Sequence, residues 1–128
     1  TSNPSSISQA AAVEALNGTQ EFISTRAHSF KKRRDFVVDS LNSIKGLSCL
    51  RPEGAFYVFP NCKKLLGKKT KLKTDSDFVE KLLIKENVAA VQGTAFGLDG
   101  YFRISYATSM EKLKVAMKRI KSFCENLG

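Results

Sequence analysis

Apolar residues in this chain follow two periods in turn, and that switching constrains the fold more than any other feature. Where they recur three to four residues apart they imply one face of a helix, and where they stand together in short runs they imply a strand. The helical period covers 5–16, with Ile7, Ala10, Ala11 and Ala15 on one face, Pro4 near the start and Asn17-Gly18 as the stop. It returns over about 20–44 through Phe22, Ile23, Ala27, Phe30, Val37, Val38, Leu41 and Ile44, interrupted by a basic run and ended by Gly46. A third helix is predicted over 76–86, with Thr74-Asp75 as N-cap, Phe78, Val79, Leu82 and Leu83 facing inward, and Asn87 at its close. The last follows Thr108-Ser109-Met110-Glu111, which reads as a capping box, and aligns Leu113, Ala116, Met117, Ile120, Phe123, Cys124 and Leu127.

Between these helices lie β-type runs at 47–50 and 55–59, joined by the turn residues Arg51-Pro52-Glu53-Gly54. Two more, 88–91 and 101–107, flank the glycine-punctuated loop 93–100, which joins strands and opens no helix. The expected order is therefore α-α-β-β-α-β-β-α. Short strands and long amphipathic helices imply an α+β two-layer sandwich, a small sheet covered by helices. The length of 128 residues suits one domain. Its 42% hydrophobic content is enough to build a core, which excludes a disordered chain. No apolar run approaches the roughly 18 to 20 residues of a membrane-spanning helix. Because Thr1 stands where an initiator Met would, and no leader segment follows, the expectation is a piece of a longer protein.

The net charge of +9 favours an acidic partner, so where the charge sits matters. Lys63, Lys64, Lys68, Lys69, Lys71 and Lys73 crowd one stretch around Gly67, Lys31 to Arg34 form a second run, and further basic residues dot the last helix. No aromatic side chain is interleaved with the 63–73 cluster, as a base-stacking surface would require, so it reads as a solvated loop. A basic nucleic-acid-binding or interaction module is the alternative function. Cys49, Cys62 and Cys124 form no C-x-x-C pair and His28 is the only histidine, which argues against a zinc site or a disulfide framework and for a reducing, cytoplasmic setting. Cys124 reads as a small core residue. The motifs of triad hydrolases, zinc proteases and P-loop enzymes are all missing, and no complete set of catalytic groups is visible.

Arg103 is the exception on physical grounds. Alternation in 101–107 places Phe102, Ile104 and Tyr106 on one face and Tyr101, Arg103 and Ser105 on the other, and Arg103 is the only charge in the strand. A guanidinium there is costly unless paired, and its fork suits a carboxylate bidentately. Two readings stay open: a structural ion pair or water-facing edge strand, and a carboxylate clamp.

The segments TSNPSSISQAAAVEAL, RPEGAFYVFP, VAAVQGTAFG and YFRISYATS, in this order and spacing, resemble the C-terminal third of a class I pyridoxal-phosphate aminotransferase, bacterial aspartate aminotransferases above all. The resemblance implies the small, mostly antiparallel domain of that family, which closes over substrate. It implies that Arg103 grips the α-carboxylate of the amino-acid or 2-oxo-acid substrate and that Phe96 lies near substrate and cofactor. Thr1, Ser2 and Asn3 would approach the phosphate of pyridoxal 5′-phosphate across a homodimer interface. Residues 1–18 would then form an interdomain and dimer-interface segment, 19–128 the small domain, and Gly54 and Tyr57 would be mainly architectural. Transfer of an amino group between aspartate and 2-oxoglutarate is the implied activity. The cofactor-bearing lysine and most phosphate ligands are expected in an upstream domain, so this piece alone should be inactive. No metal, membrane or nucleic acid is implied. One departure stands out: Gln92 occupies the place of the family's usual proline before the glycine of the A-F-G loop, an exchange expected to loosen the loop.

Overall fold

The last helix shows how closely the apolar period translates into packing. In the computed structural model, which describes residues 2–127, Leu113, Met117, Ile120, Phe123 and Cys124 are buried along α4 (Met110–Glu125), with Ala116 and Leu127 packed beside them. Against this stripe lie the C-terminal half of α2 (Glu21–Asn42), with Val37, Val38 and Leu41 buried, and α3 (Asp75–Glu86), with Phe78, Val79 and Leu82 buried. The remaining helix is α1 (Ser6–Asn17), capped by the Ser5 hydroxyl. Each of the larger buried side chains contributes roughly 1.5–3 kcal/mol of transfer free energy. None of the described helices is long and apolar enough to cross a membrane.

Helices α2, α3 and α4 cover one face of a three-stranded antiparallel sheet in the order β1-β3-β2, where β1 is Tyr57–Val58, β2 is Val91–Gln92 and β3 is Phe102–Ser105. Tyr57 lies opposite Ser105 and Val58 opposite Ile104, while Val91 lies opposite Arg103 and Gln92 opposite Phe102. Phe102, Ile104 and Tyr106 are all buried on the helix side, as the alternation requires. The α+β two-layer architecture is thus the one the periodicity implies.

Several local expectations need correction. The 47–50 run makes no strand, only a single pairing of Ser48 with Asn61. The Asn42 carboxamide replaces a strand partner there, accepting from Cys49 N at 2.8 Å and donating to Cys49 O at 2.9 Å. Of the 88–91 run only Val91 enters the sheet, where it is joined by Gln92, and β3 is shorter than 101–107 because Ala107 N turns back to donate to Ser105 Oγ at 3.2 Å. The described order is α-α-β-α-β-β-α. The glycine-punctuated loop opens with a single 3-10 turn, Gly93–Phe96. The N-cap of α4 is Ser109, which accepts from Lys112 N, so the cap lies one residue later than the Thr108-Glu111 box. Leu83 is half exposed instead of inward.

The apolar positions of α1 and of the first turns of α2 form helix, yet none of them is buried, and Ile7 and Leu16 remain 83% and 80% exposed. The turn before β1 is held from the residue that follows β3: the Tyr106 hydroxyl donates to Ala55 O at 2.8 Å, and Ala55, rather than Gly54, takes the left-handed conformation with φ 60°.

Candidate functional site

β3 is the central strand, so Arg103 does not sit on an edge open to water. Its outward face is flanked by β1 and by the 3-10 turn that follows β2. The Arg103 guanidinium carbon lies 4.4 Å from the centroid of the Tyr57 ring and 4.3 Å from that of Phe96. Among the described residues no carboxylate pairs with it, and its side chain makes no hydrogen bond. Among the described residues, then, no structural ion pair accounts for this charge. Ring contacts steady a cation through the negative face of the π-system while leaving its N–H donors unspent. A half-buried guanidinium in that condition is suited to take a carboxylate bidentately.

The aromatic wall continues on both sides. Phe56 packs on Tyr57 at 4.4 Å between centroids, Phe59 meets Phe96 edge-on at 5.8 Å, and Phe59 stacks with Tyr101 at 5.9 Å. Phe96 is 49% exposed at the rim of this wall. Its turn is built tightly: a Cβ on Gly93 would come within 2.3 Å of Leu98 O, and Gly97 closes the turn at φ 74°. Gln92 keeps φ −61° and ψ 142°, the backbone a proline would impose, so the missing proline leaves no distortion.

The turn is also tied to α3. Asp75, 2% exposed, accepts from Thr94 N at 2.7 Å and from Thr94 Oγ1 at 2.6 Å. Burial pushes the Asp75 carboxyl up, but the two Thr94 bonds and the amides of Asp75 and Ser76 outweigh it and hold it below the ordinary value.

Of the residues the sequence singled out, the structure brings Arg103 and Phe96 into contact. Ser2 and Asn3 are exposed ahead of α1, and Thr1 lies outside the described residues. Tyr57, read as architectural, is one of the two rings beside Arg103. Strand parity alone does not find it, because its place beside Arg103 depends on the register that sets it opposite Ser105, which shares the outward face. Asp75 and Thr94 lie 19 positions apart, and no sequence signal links them.

The Lys63–Lys73 segment follows the solvated-loop reading, with all its lysines exposed around the Gly67–Leu72 pairing. In the other basic run Arg34 is structural, bonding Asp35 Oδ1 at 2.9 Å and Pro52 O at 3.0 Å. The cysteines are buried and free, and burial above all pushes the thiols of Cys62 and Cys124 up to about 12, so both stay neutral.

The profile of the family described as aminotransferase class I and II matches residues 1–120. An aspartate aminotransferase of Rhizobium meliloti is 56% identical over the whole chain, which covers 32% of that protein. A probable aspartate/prephenate aminotransferase of Rickettsia typhi is 53% identical, with 99% of this chain and 33% of that protein covered. The chain thus spans about a third of the length of these curated relatives. Among solved structures, the aspartate aminotransferase from Rhizobium meliloti superposes with a TM-score of 0.94 at 55% identity, covering 100% of this chain and 33% of that one. An alanine aminotransferase from Pyrococcus furiosus gives 0.88 at 34% identity, covering 95% and 30%. With the fold and the matched residues in agreement, this chain belongs to the class I and II aminotransferase family.

Proposed function

We propose that the chain is the substrate-closing small domain of a pyridoxal-phosphate-dependent aminotransferase that moves an amino group between aspartate and 2-oxoglutarate. The observation that carries this reading is the Arg103 guanidinium, steadied by Tyr57 and Phe96 with its donors unspent. Amino-acid and 2-oxo-acid substrates share an α-carboxylate, and one bidentate anchor serves both halves of the exchange. Arg103 orients that carboxylate, and the aromatic wall excludes water beside it, so the Cα–H bond is presented in one direction. When bound, the cofactor supplies a sink for the electrons released at Cα.

Ser2 and Asn3, both exposed residues ahead of α1, carry a hydroxyl and a carboxamide, groups of the kind that donate to a phosphate, and with Thr1 they form our candidate contribution to cofactor binding. The cofactor-bearing lysine falls, in this reading, within the remaining two-thirds of the relatives' length. None of the described lysines is buried: all are exposed except Lys81, which is half-buried and donates to Lys71 O at 3.2 Å. By itself the chain would be inactive. Residues 1–18 form the interdomain and dimer-interface segment and 19–128 the small domain, and the unburied apolar side chains of α1 support that division. The full protein would be a cytoplasmic homodimer.

The test is the full-length protein, loaded with cofactor and assayed with aspartate and 2-oxoglutarate. Arg103→Lys keeps the charge but loses the fork, and kcat/KM should fall about a hundredfold. Unchanged kinetics would remove Arg103 from the substrate site.

A further inference from the structure

Asp75 carries a buried charge that the capping box of its helix does not use. The N-terminus of α3 is already closed by Thr74 and Asp77: the Thr74 hydroxyl accepts from Asp77 N at 3.1 Å, and Asp77 Oδ2 accepts from Thr74 N at 3.0 Å and from Lys73 N at 2.7 Å. The Asp75 carboxylate instead reaches across to the 3-10 turn and takes both the amide and the hydroxyl of Thr94. Among the described residues no cation pairs with it. Burial alone would penalise that charge, and the Thr94 amide and hydroxyl are the bonds from outside α3 that offset it, so the carboxylate and the turn hold each other in place. Two residues beyond Thr94 stands Phe96, whose ring touches the Arg103 guanidinium.

We infer that the Asp75–Thr94 pair is a positioning device: by fixing the 93–97 turn on α3, it sets Phe96 against Arg103 and so sets the aim of the carboxylate anchor. This rests on the aminotransferase reading for its substrate, though not for its mechanics. Neither Asp75 nor Thr94 touches substrate; both act through Phe96. The device needs the threonine hydroxyl, because a β-branched hydrocarbon of the same shape keeps the amide bond but removes the hydroxyl's bond to Asp75 Oδ1.

The experiment compares Thr94→Val with Thr94→Ser in the full-length, cofactor-loaded protein. Thr94→Val should raise KM for both aspartate and 2-oxoglutarate by about tenfold, with a smaller effect on kcat. Thr94→Ser restores the hydroxyl and should stay within about twofold of the parent. Amide hydrogen exchange should quicken in the peptide covering 93–97 of Thr94→Val and stay unchanged in α4, which separates a loosened turn from a loosened fold. Parental KM or parental exchange in Thr94→Val would overturn the inference, and so would equal defects in Val and Ser. If the parent protein transfers no amino group, the functional reading fails instead. The device is then decided by succinate as carboxylate probe: protection of 93–97 in the parent that disappears in Thr94→Val supports it, and no difference overturns it.

Discussion

The two faces of β3 are built from neighbouring residues and obey different rules. On the inner face Phe102 lies 4.9 Å from Phe78, which meets Phe123 edge-on at 5.3 Å, and all three rings are buried. On the outer face Arg103 rests on Tyr57 and Phe96, and none of the three is fully buried. Both faces are aromatic, yet the inner one has every partner it needs while the outer one leaves a cation's donors unspent. Aromatic content therefore separates nothing; the state of the polar groups does. The inner face answers for stability and the outer face, as we read it, for substrate.

Phe102→Ala gives the largest effect expected from this contrast. Removing a fully buried ring should cost about 3–5 kcal/mol, read from urea denaturation. A loss under about 1 kcal/mol would mean that the inner face is not what holds the sheet.

Arg103→Lys should do the opposite, leaving unfolding free energy within about 0.5 kcal/mol of the parent while the substrate defect described above appears. If stability falls together with kcat/KM, the two faces are not separable.

The buried thiols probe the inner side by pH. In the unfolded chain a cysteine ionises near pH 8.5, whereas Cys62 in the fold stays neutral to about 12, its thiol donating to Gly100 O at 3.4 Å. Between those values the unfolded state holds fewer protons, so stability falls as pH rises, and below the window the contribution is constant. Cys62→Ala should flatten the fall between pH 9 and 10 by about 1 kcal/mol. An unaltered slope would mean that the thiol ionises within the fold.

The smallest effect is expected at Gln92→Pro. Gly93 N bonds Tyr101 O, so in the antiparallel alternation the Gln92 amide points away from β3, on the open side of an edge strand. With φ already at −61°, a proline there should add about 0.4–1 kcal/mol. Destabilisation would show that the amide is in use.

Much of the fold was legible because period and partner coincide in the chain's second half. The α4 stripe was read correctly residue by residue, since a helix with a strong apolar face next to an apolar strand has one place to go. In 5–16 and 20–29 the same reasoning gives the helices, but Ile7, Phe22 and Ile23 keep the helical spacing without being buried, Phe22 meeting only the Arg26 guanidinium at 4.8 Å. Spacing reports which face a helix would bury and is silent on whether anything lies there to cover it. The 47–50 run failed for a different reason, because the Asn42 side chain supplied the backbone bonds a strand partner would have given.

Arg103 and Phe96 were visible in the sequence as the lone charge of an apolar strand and as part of a glycine-punctuated loop resembling the family's A-F-G block. Local order alone determined the helices, the parity of β3 and the face on which Arg103 sits, because these depend on neighbours within a turn or a pleat. Only the tertiary structure decided what meets that face. Tyr57 lies 46 positions before Arg103, and Asp75 lies 19 before Thr94. Contacts at such separations depend on strand register and helix placement, which no local period encodes.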